Sequence, residues 1–119
     1  MKSLRNQVQL IGRLGTEPEM KEFSTANNKV SFRMATSETY SNRSGEKITD
    51  TQWHNIVAWN GTGKYIKNYV AKGTEIMVQG KLTHSSYEDK NGITRYVSEI
   101  VADQVMIIHK KEAEVETEA

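Results

Sequence analysis

Cysteine is absent from the 119 residues, which removes disulfides, cysteine-ligated zinc and thiol chemistry together. The three histidines, His54, His84 and His109, are far apart in sequence, so no metal site is expected. No run approaches the roughly 18 consecutive apolar residues of a membrane helix. Met1 to Gln7 shows neither the apolar stretch nor the cleavage site of a signal peptide. Charge of one sign is lacking too, since the formal net charge is +1. The expectation is a soluble, cytoplasmic, single-domain protein with no cofactor and no membrane association.

That small net charge is unevenly spread. Residues 110–119 hold two lysines and four glutamates, which leaves 14 basic and 11 acidic side chains in residues 1–109. The last ten residues alternate glutamate with small side chains and offer no packing face, so 110–119 is expected to be a short, acidic, disordered tail. The body, 1–109, is only mildly basic. Charge alone therefore does not identify a nucleic-acid binder.

Period-2 alternation dominates what remains. Val8, Leu10, Gly12 and Leu14 share one face of a first strand that ends at Gly15-Thr16-Glu17-Pro18. A short extended piece is expected at Met20 to Phe23. Val30, Phe32, Met34 and Thr36 mark a second strand running to about Tyr40. Residues 41–50 carry no apolar pattern and read as a long hairpin loop. Thr51 to Trp59 is the third strand. The helix expected over Lys64–Ala71 pairs Ile66 with Val70 and Tyr65 with Tyr69, and Lys72-Gly73 supplies its stop. Gly61-Thr62-Gly63-Lys64 has a partial likeness to a phosphate loop, but it lacks the earlier glycine and the following Ser or Thr, and reads as the turn into the helix. The fourth strand, Thr74 to Tyr87, turns Ile76, Val78 and Leu82 inward and bends at Gly80. Asp89-Lys90-Asn91-Gly92 is a hairpin signal, followed by a fifth strand from Ile93 that continues through Gln104 to His109. Five strands with one short helix between the third and fourth is the order of an OB-fold, an all-β, partly open Greek-key barrel. A β-sandwich is the competing architecture.

The chemistry-bearing residues are aromatic and basic. Tyr40, Trp53, Trp59 and Tyr87 lie on or at the ends of strands, among basic and polar neighbours. Rings open to solvent beside cations can stack unpaired bases of any sequence while the cations meet phosphates. Trp53, Asn55, Val57 and Trp59 share a strand face by period 2. Arg33, Lys64, Lys72 and Arg95 are the leading candidates for phosphate contact, with Arg5 and Arg43 secondary. The plain alternative for each tryptophan is a place in the core, and for each cation a solvated surface.

Further residues carry a resemblance. Val8-Gln9-Leu10-Ile11-Gly12-Arg13-Leu14-Gly15 with Pro18-Glu19, Ala35-Thr36-Ser37-Glu38, Thr51-Gln52-Trp53-His54, Tyr69-Val70-Ala71-Lys72-Gly73 and Gly80-Lys81-Leu82 occur in this order. Over about Leu4 to Ile108 the chain resembles the bacterial single-stranded DNA-binding protein family. The resemblance implies a homotetramer of OB-folds, a dimer of dimers, that coats unpaired DNA in replication, recombination and repair without sequence choice. It implies base stacking by Tyr40 and Tyr87, where the family commonly has tryptophan, by Trp53, and by Trp59, where it usually has phenylalanine. His54 corresponds to an interface histidine. The segment from about Lys2 through Gln7 and Gln9 resembles one that pairs across a dimer axis, and Glu75, Met77 and Gln79 match a second interface joining dimers. The family's usual tail is a long linker ending in an acidic Pro-Phe tip. The sequence here reads Val115-Glu116-Thr117-Glu118-Ala119 instead, so recruitment of replication and repair proteins through such a tip is not expected to follow the usual pattern.

Two other classes compete with a coat protein. One is an OB-fold accessory subunit of a replication or recombination complex with weak DNA binding. The other is a metal-dependent nuclease using Asp50, Glu88 and Asp89, which lie in expected loops with no common strand face.

Overall fold

The computed structural model describes residues 4–24 and 26–110. Six strands and one helix follow in the order β1 (Val8–Leu14), β2 (Glu19–Glu22), β3 (Asn28–Ser41), β4 (Lys47–Trp59), α1 (Asn60–Tyr69), β5 (Glu75–Glu88) and β6 (Thr94–His109). The spatial order is β1-β5-β6-β4-β3-β2. A second pairing, Arg13 with Ala35 and Leu14 with Met34, joins β1 to β3 and closes the barrel. All pairings are antiparallel except β4 with β6, where Ile56, Val57 and Ala58 run parallel to Ile100, Val101 and Ala102. This is the five-strand barrel expected from the sequence, with the short extended piece near Met20 paired to β3 as β2.

One face of each long strand fills the interior. Leu14, Val30, Phe32, Met34, Ile56, Ala58, Ile76, Val78, Ile100 and Ala102 form the core, and α1 closes one end of it with Ile66, Val70 following as the chain leaves the helix. The alternation is the period-2 pattern of the sequence made physical. The bend expected in β5 falls at a register shift between Gln79 and Gly80.

Three expectations are corrected. Residues 41–50 are not a long loop: the β3–β4 ladder runs unbroken to Ser41 opposite Lys47. The strands here have no apolar face because both sides are exposed. Cross-strand hydroxyl pairs support the ladder instead, Ser37 with Thr51 at 3.2 Å and Thr39 with Thr49 at 3.3 Å. The turn is held by Asn42 Oδ1, which accepts the amides of Ser44 and Glu46.

The helix starts at Asn60, four residues before the expected Lys64, and ends at Tyr69. Gly61-Thr62-Gly63 is thus its first turn, not a turn leading into it. Two glycines at a cost of about 1 kcal/mol each hid it. Gly63 is needed there, because a Cβ would stand 2.8 Å from the Ala58 carbonyl oxygen. At the other end Val70 turns extended, φ −118°, and buries its side chain. Gly73 does not cap the helix; its amide donates to the Leu14 carbonyl at 2.9 Å.

Leu82 faces solvent, not the core. Beyond Gly80 the β5–β6 hairpin leaves the barrel, and His84 to Glu88 are all exposed. Asn6 fastens its base: the side-chain amide donates to the Leu82 carbonyl at 2.9 Å and its oxygen accepts the Leu82 amide at 3.0 Å. In effect one side chain supplies both bonds of a missing strand. The described strand therefore begins at Val8, later than the pairing segment expected from about Lys2. The tail expected over 110–119 lies outside the described residues apart from Lys110.

Candidate nucleic-acid interface

Of two tryptophans, five tyrosines and two phenylalanines, only Phe32 is buried. A chain seeking stability alone would place such rings in its core. The distribution is organised by the strand register.

On β4 the outward row is Trp53, Asn55, Val57 and Trp59, opposite Ala35, Arg33, Ser31 and Lys29 of β3. Trp53 is 52% and Trp59 40% exposed. The Arg33 guanidinium sits 5.0 Å from the Trp53 ring centre, and Lys29 Nζ 5.9 Å from that of Trp59. Each indole thus carries one cation from the neighbouring strand, an attraction of about 0.5–1 kcal/mol at exposed sites. Trp53 also rests against Gly15, in the turn after β1. Trp59 pairs with Phe23, ring centres 5.8 Å apart.

Between the two indoles runs a groove of about 330 Å³ lined by Thr16, Glu17, Glu19, Ser31, Arg33, Asn55, Val57 and Glu99, with Phe32 and Ile56 beneath. Val57 is its buried floor and stands apart from the core cluster. The row continues across the sheet. Val57 pairs with Val101, and period 2 along β6 then carries the same face to Glu99, Val97 and Arg95. Arg95 lies opposite Tyr87, so Tyr87, 55% exposed, shares the side of Trp53 and Trp59.

Tyr40 does not share it. The unbroken register pairs it with Ile48 and gives it the parity of Met34, Thr36 and His54, on the reverse of the β3–β4 ribbon. His54 faces away from Trp53, half-buried, with Nε2 3.0 Å from Thr36 Oγ1.

The six candidate cations are dispersed. Arg33 is against Trp53, and Arg95 is beside Tyr87 but donates from Nε to Asp89 Oδ2 at 2.8 Å. The Asp89 carboxyl is held below the usual carboxylate range, first by the Ile93 amide and then by the Arg95 side chain; burial opposes them, and the Asn91 amide adds a smaller lowering. Lys72 is at the rim, its backbone amide donating to Glu17 Oε1 at 3.2 Å. Lys64 is exposed on α1, Arg43 at the tip of the β3–β4 hairpin and Arg5 in the turn before β1. Lys29 and Phe23 were missed by the sequence reading. Parity with Trp59 would have found Lys29 once the β3–β4 register was known.

Elsewhere, Glu75, Met77 and Gln79 lie half-buried on the outer face of β5. Arg13, Ile11 and Gln9 flank them on β1, and His109, Met106 and Gln104 on β6. Ile11 and Met106 are exposed there, and the adjoining cavity of about 750 Å³ reaches Tyr65 of α1. Among the described residues, Val8 to Gly12 pair only with β5, so this edge of β1 is open. Gln7 and Gln9 are exposed along it. No group of three or more His, Asp or Glu among the described residues could hold a metal ion. Asp89, one of the acids considered for a nuclease, is instead paired with Arg95. Among the described residues, no helix is long and apolar enough to cross a membrane.

Comparison with known proteins bears on this geometry. The model of the single-strand binding protein family matches residues 5–108. The chain is 36% identical over 109 residues to single-stranded DNA-binding protein 1 of Chlorobaculum tepidum, covering 91% of this chain and 67% of that protein. It is 37% identical over 110 residues to the single-stranded DNA-binding protein of Bacteroides thetaiotaomicron, covering 91% and 68%. It therefore spans about two thirds of the length of these relatives. The fold superimposes on the Plasmodium falciparum SSB in its complex with ssDNA with a TM-score of 0.78, at 29% identity, over 91% of this chain and 97% of that one. It is also similar in fold to a deletion mutant of the single-stranded DNA binding protein from Thermus aquaticus, TM-score 0.75 at 20% identity, over 90% of this chain and 52% of that one.

Proposed function

The chain belongs to the single-strand binding protein family, and we propose that it binds and protects single-stranded DNA without catalysis and without sequence choice. The observation that carries this reading is the pair of exposed indoles on one face of β4, each with a cation from β3, on either side of a groove. Every base has a π-face, so Trp53, Trp59 and Tyr87 can hold any sequence, each stack contributing roughly 1–3 kcal/mol. Glu17, Glu19 and Glu99 in the groove repel phosphates. They favour a strand whose bases point inward and whose backbone runs along the rim, within reach of Arg33, Lys29, Lys72 and Arg95. Tyr40, on the reverse of its ribbon, serves a strand that passes round the hairpin.

Association into a homotetramer fits the remaining exposed surfaces. The open edge of β1, with Gln7 and Gln9, suits pairing across one two-fold axis, to which half-buried His54 on the reverse of β4 would contribute. The outer face of β5, with Glu75, Met77 and Gln79, suits a second. At roughly 4–16 nucleotides per OB-fold, four copies would cover about 16–64. The protein would act in the cytoplasm, on the DNA exposed by replication, recombination and repair, where other proteins of those processes would meet it.

Titration with oligothymidine tests the reading. Strong quenching of tryptophan fluorescence is expected, saturating at one tetramer per few tens of nucleotides by light scattering. Little quenching up to micromolar protein would instead favour an accessory subunit that touches DNA weakly.

A further inference from the structure

Phe23 has no place in the core and no polar side-chain group to keep it in water, yet the residue is 57% exposed. It is held there by a built turn. Its amide donates to the Asn27 carbonyl at 2.9 Å, and Ser24 Oγ accepts the amides of Ala26 and Asn27 at 3.2 and 3.1 Å. The ring stands beside Trp59, centres 5.8 Å apart and planes 31° from parallel, and Lys29 Nζ lies 5.9 Å from the centre of the same indole. A single exposed apolar side chain needs no explanation. Two adjacent exposed rings with a cation at hand form a surface, at the end of the groove away from Trp53.

The spacing decides what that surface can do. A base sandwiched between the rings would need roughly 7 Å, two base rises of about 3.4 Å, and 5.8 Å is too little. Tilted 31° from one another, the two rings can instead each offer a face to a different base.

We propose that Phe23 is a base-stacking residue of this protein, forming with Trp59 a two-ring platform that takes two consecutive bases of a single strand. This rests on the stacking role given to Trp59 above. It sets Trp59 apart from Trp53, whose neighbour is a glycine, and gives the platform end of the groove the stronger hold on a short strand.

The test is the intact protein with Phe23→Leu and Phe23→Trp, titrated with oligothymidine of about 8 nucleotides, within the site size of one OB-fold, over a range of salt concentrations up to high salt. Leucine keeps an apolar cover over Trp59 but has no π-face. Phe23→Leu is expected to weaken binding about five- to tenfold without changing the salt slope, and Phe23→Trp to bind at least as tightly as the parent. Photocrosslinking to 5-iodouracil-substituted strands is expected to label the peptide containing Phe23. Unchanged affinity in Phe23→Leu, or equal losses in both variants, would overturn the proposal while leaving DNA binding intact. Failure of the parent protein to bind the strand at all would instead overturn the functional reading beneath it.

Discussion

The six-membered ring of Trp53 occupies the space beside Gly15 that a side-chain carbon would need: a Cβ there would collide with Cζ3 and stand 2.8 Å from Cη2. Gly15 is not among the glycines of positive φ, so its backbone tolerates alanine and the ring alone must move. Gly15→Ala is expected to weaken oligothymidine binding about three- to tenfold, part of one stack. The shift in stability should be under about 1 kcal/mol, as usual for surface changes. Fluorescence titration and thermal unfolding check the two halves. Parent-like affinity would mean that this position of the indole does not matter for bases.

Arg33 and Trp53 touch each other but act on different parts of a nucleotide. Removing a phosphate contact flattens the plot of log affinity against log salt by about 0.7 for a single strand, whereas removing a stack moves the whole line down. Arg33→Ala is therefore expected to reduce the slope by that amount and to bind nearly as well as the parent at high salt. Trp53→Ala should keep the slope and lose affinity at every salt concentration. Parallel lines for both variants would show that Arg33 serves only to hold the ring.

How much of this was legible in the sequence depends on the register. Trp53, Trp59 and His54 were read correctly to opposite sides of β4 because alternation within one strand is local. The place of Tyr87 beside them depends on the parallel pairing of Val57 with Val101 and on the β5–β6 register that sets Tyr87 opposite Arg95, which no nearby residue announces. Tyr40 was grouped with Trp53 from its motif, but five unbroken ladder steps separate it from Ala35, Trp53's partner, and reverse its side. The β3–β4 hairpin looked like a loop because Thr39, Thr49, Ser37 and Thr51 pair through hydroxyls and no apolar face signals a strand. Phe23 owes its position to the turn from β2 into β3, which sets its ring against Trp59 at the end of the neighbouring strand, a contact that alternation does not encode.

Asp89 joins the stability of the β5–β6 hairpin to the charge of the site. Its carboxylate accepts the amides of Asn91 and Ile93 at 2.9 and 3.0 Å, and Arg95 Nε at 2.8 Å. Its folded-state value lies below the ordinary one, owing first to the Ile93 amide. A depressed value means that the ionised form stabilises the turn above the unfolded value and that this contribution fades as pH falls through the folded one. The hairpin is therefore expected to be firm at neutral pH and to loosen only below about pH 4, seen as loss of exchange protection at the Ile93 and Gly92 amides. Asp89→Asn keeps an oxygen for both amides but releases Arg95. That variant should lose the acid transition. It should also bind oligothymidine more tightly at low salt, with a slope steeper by up to about 0.7, because a guanidinium now engaged by carboxylate becomes available to phosphate beside Tyr87. An unchanged slope with a lost acid transition would confine Arg95 to holding the turn.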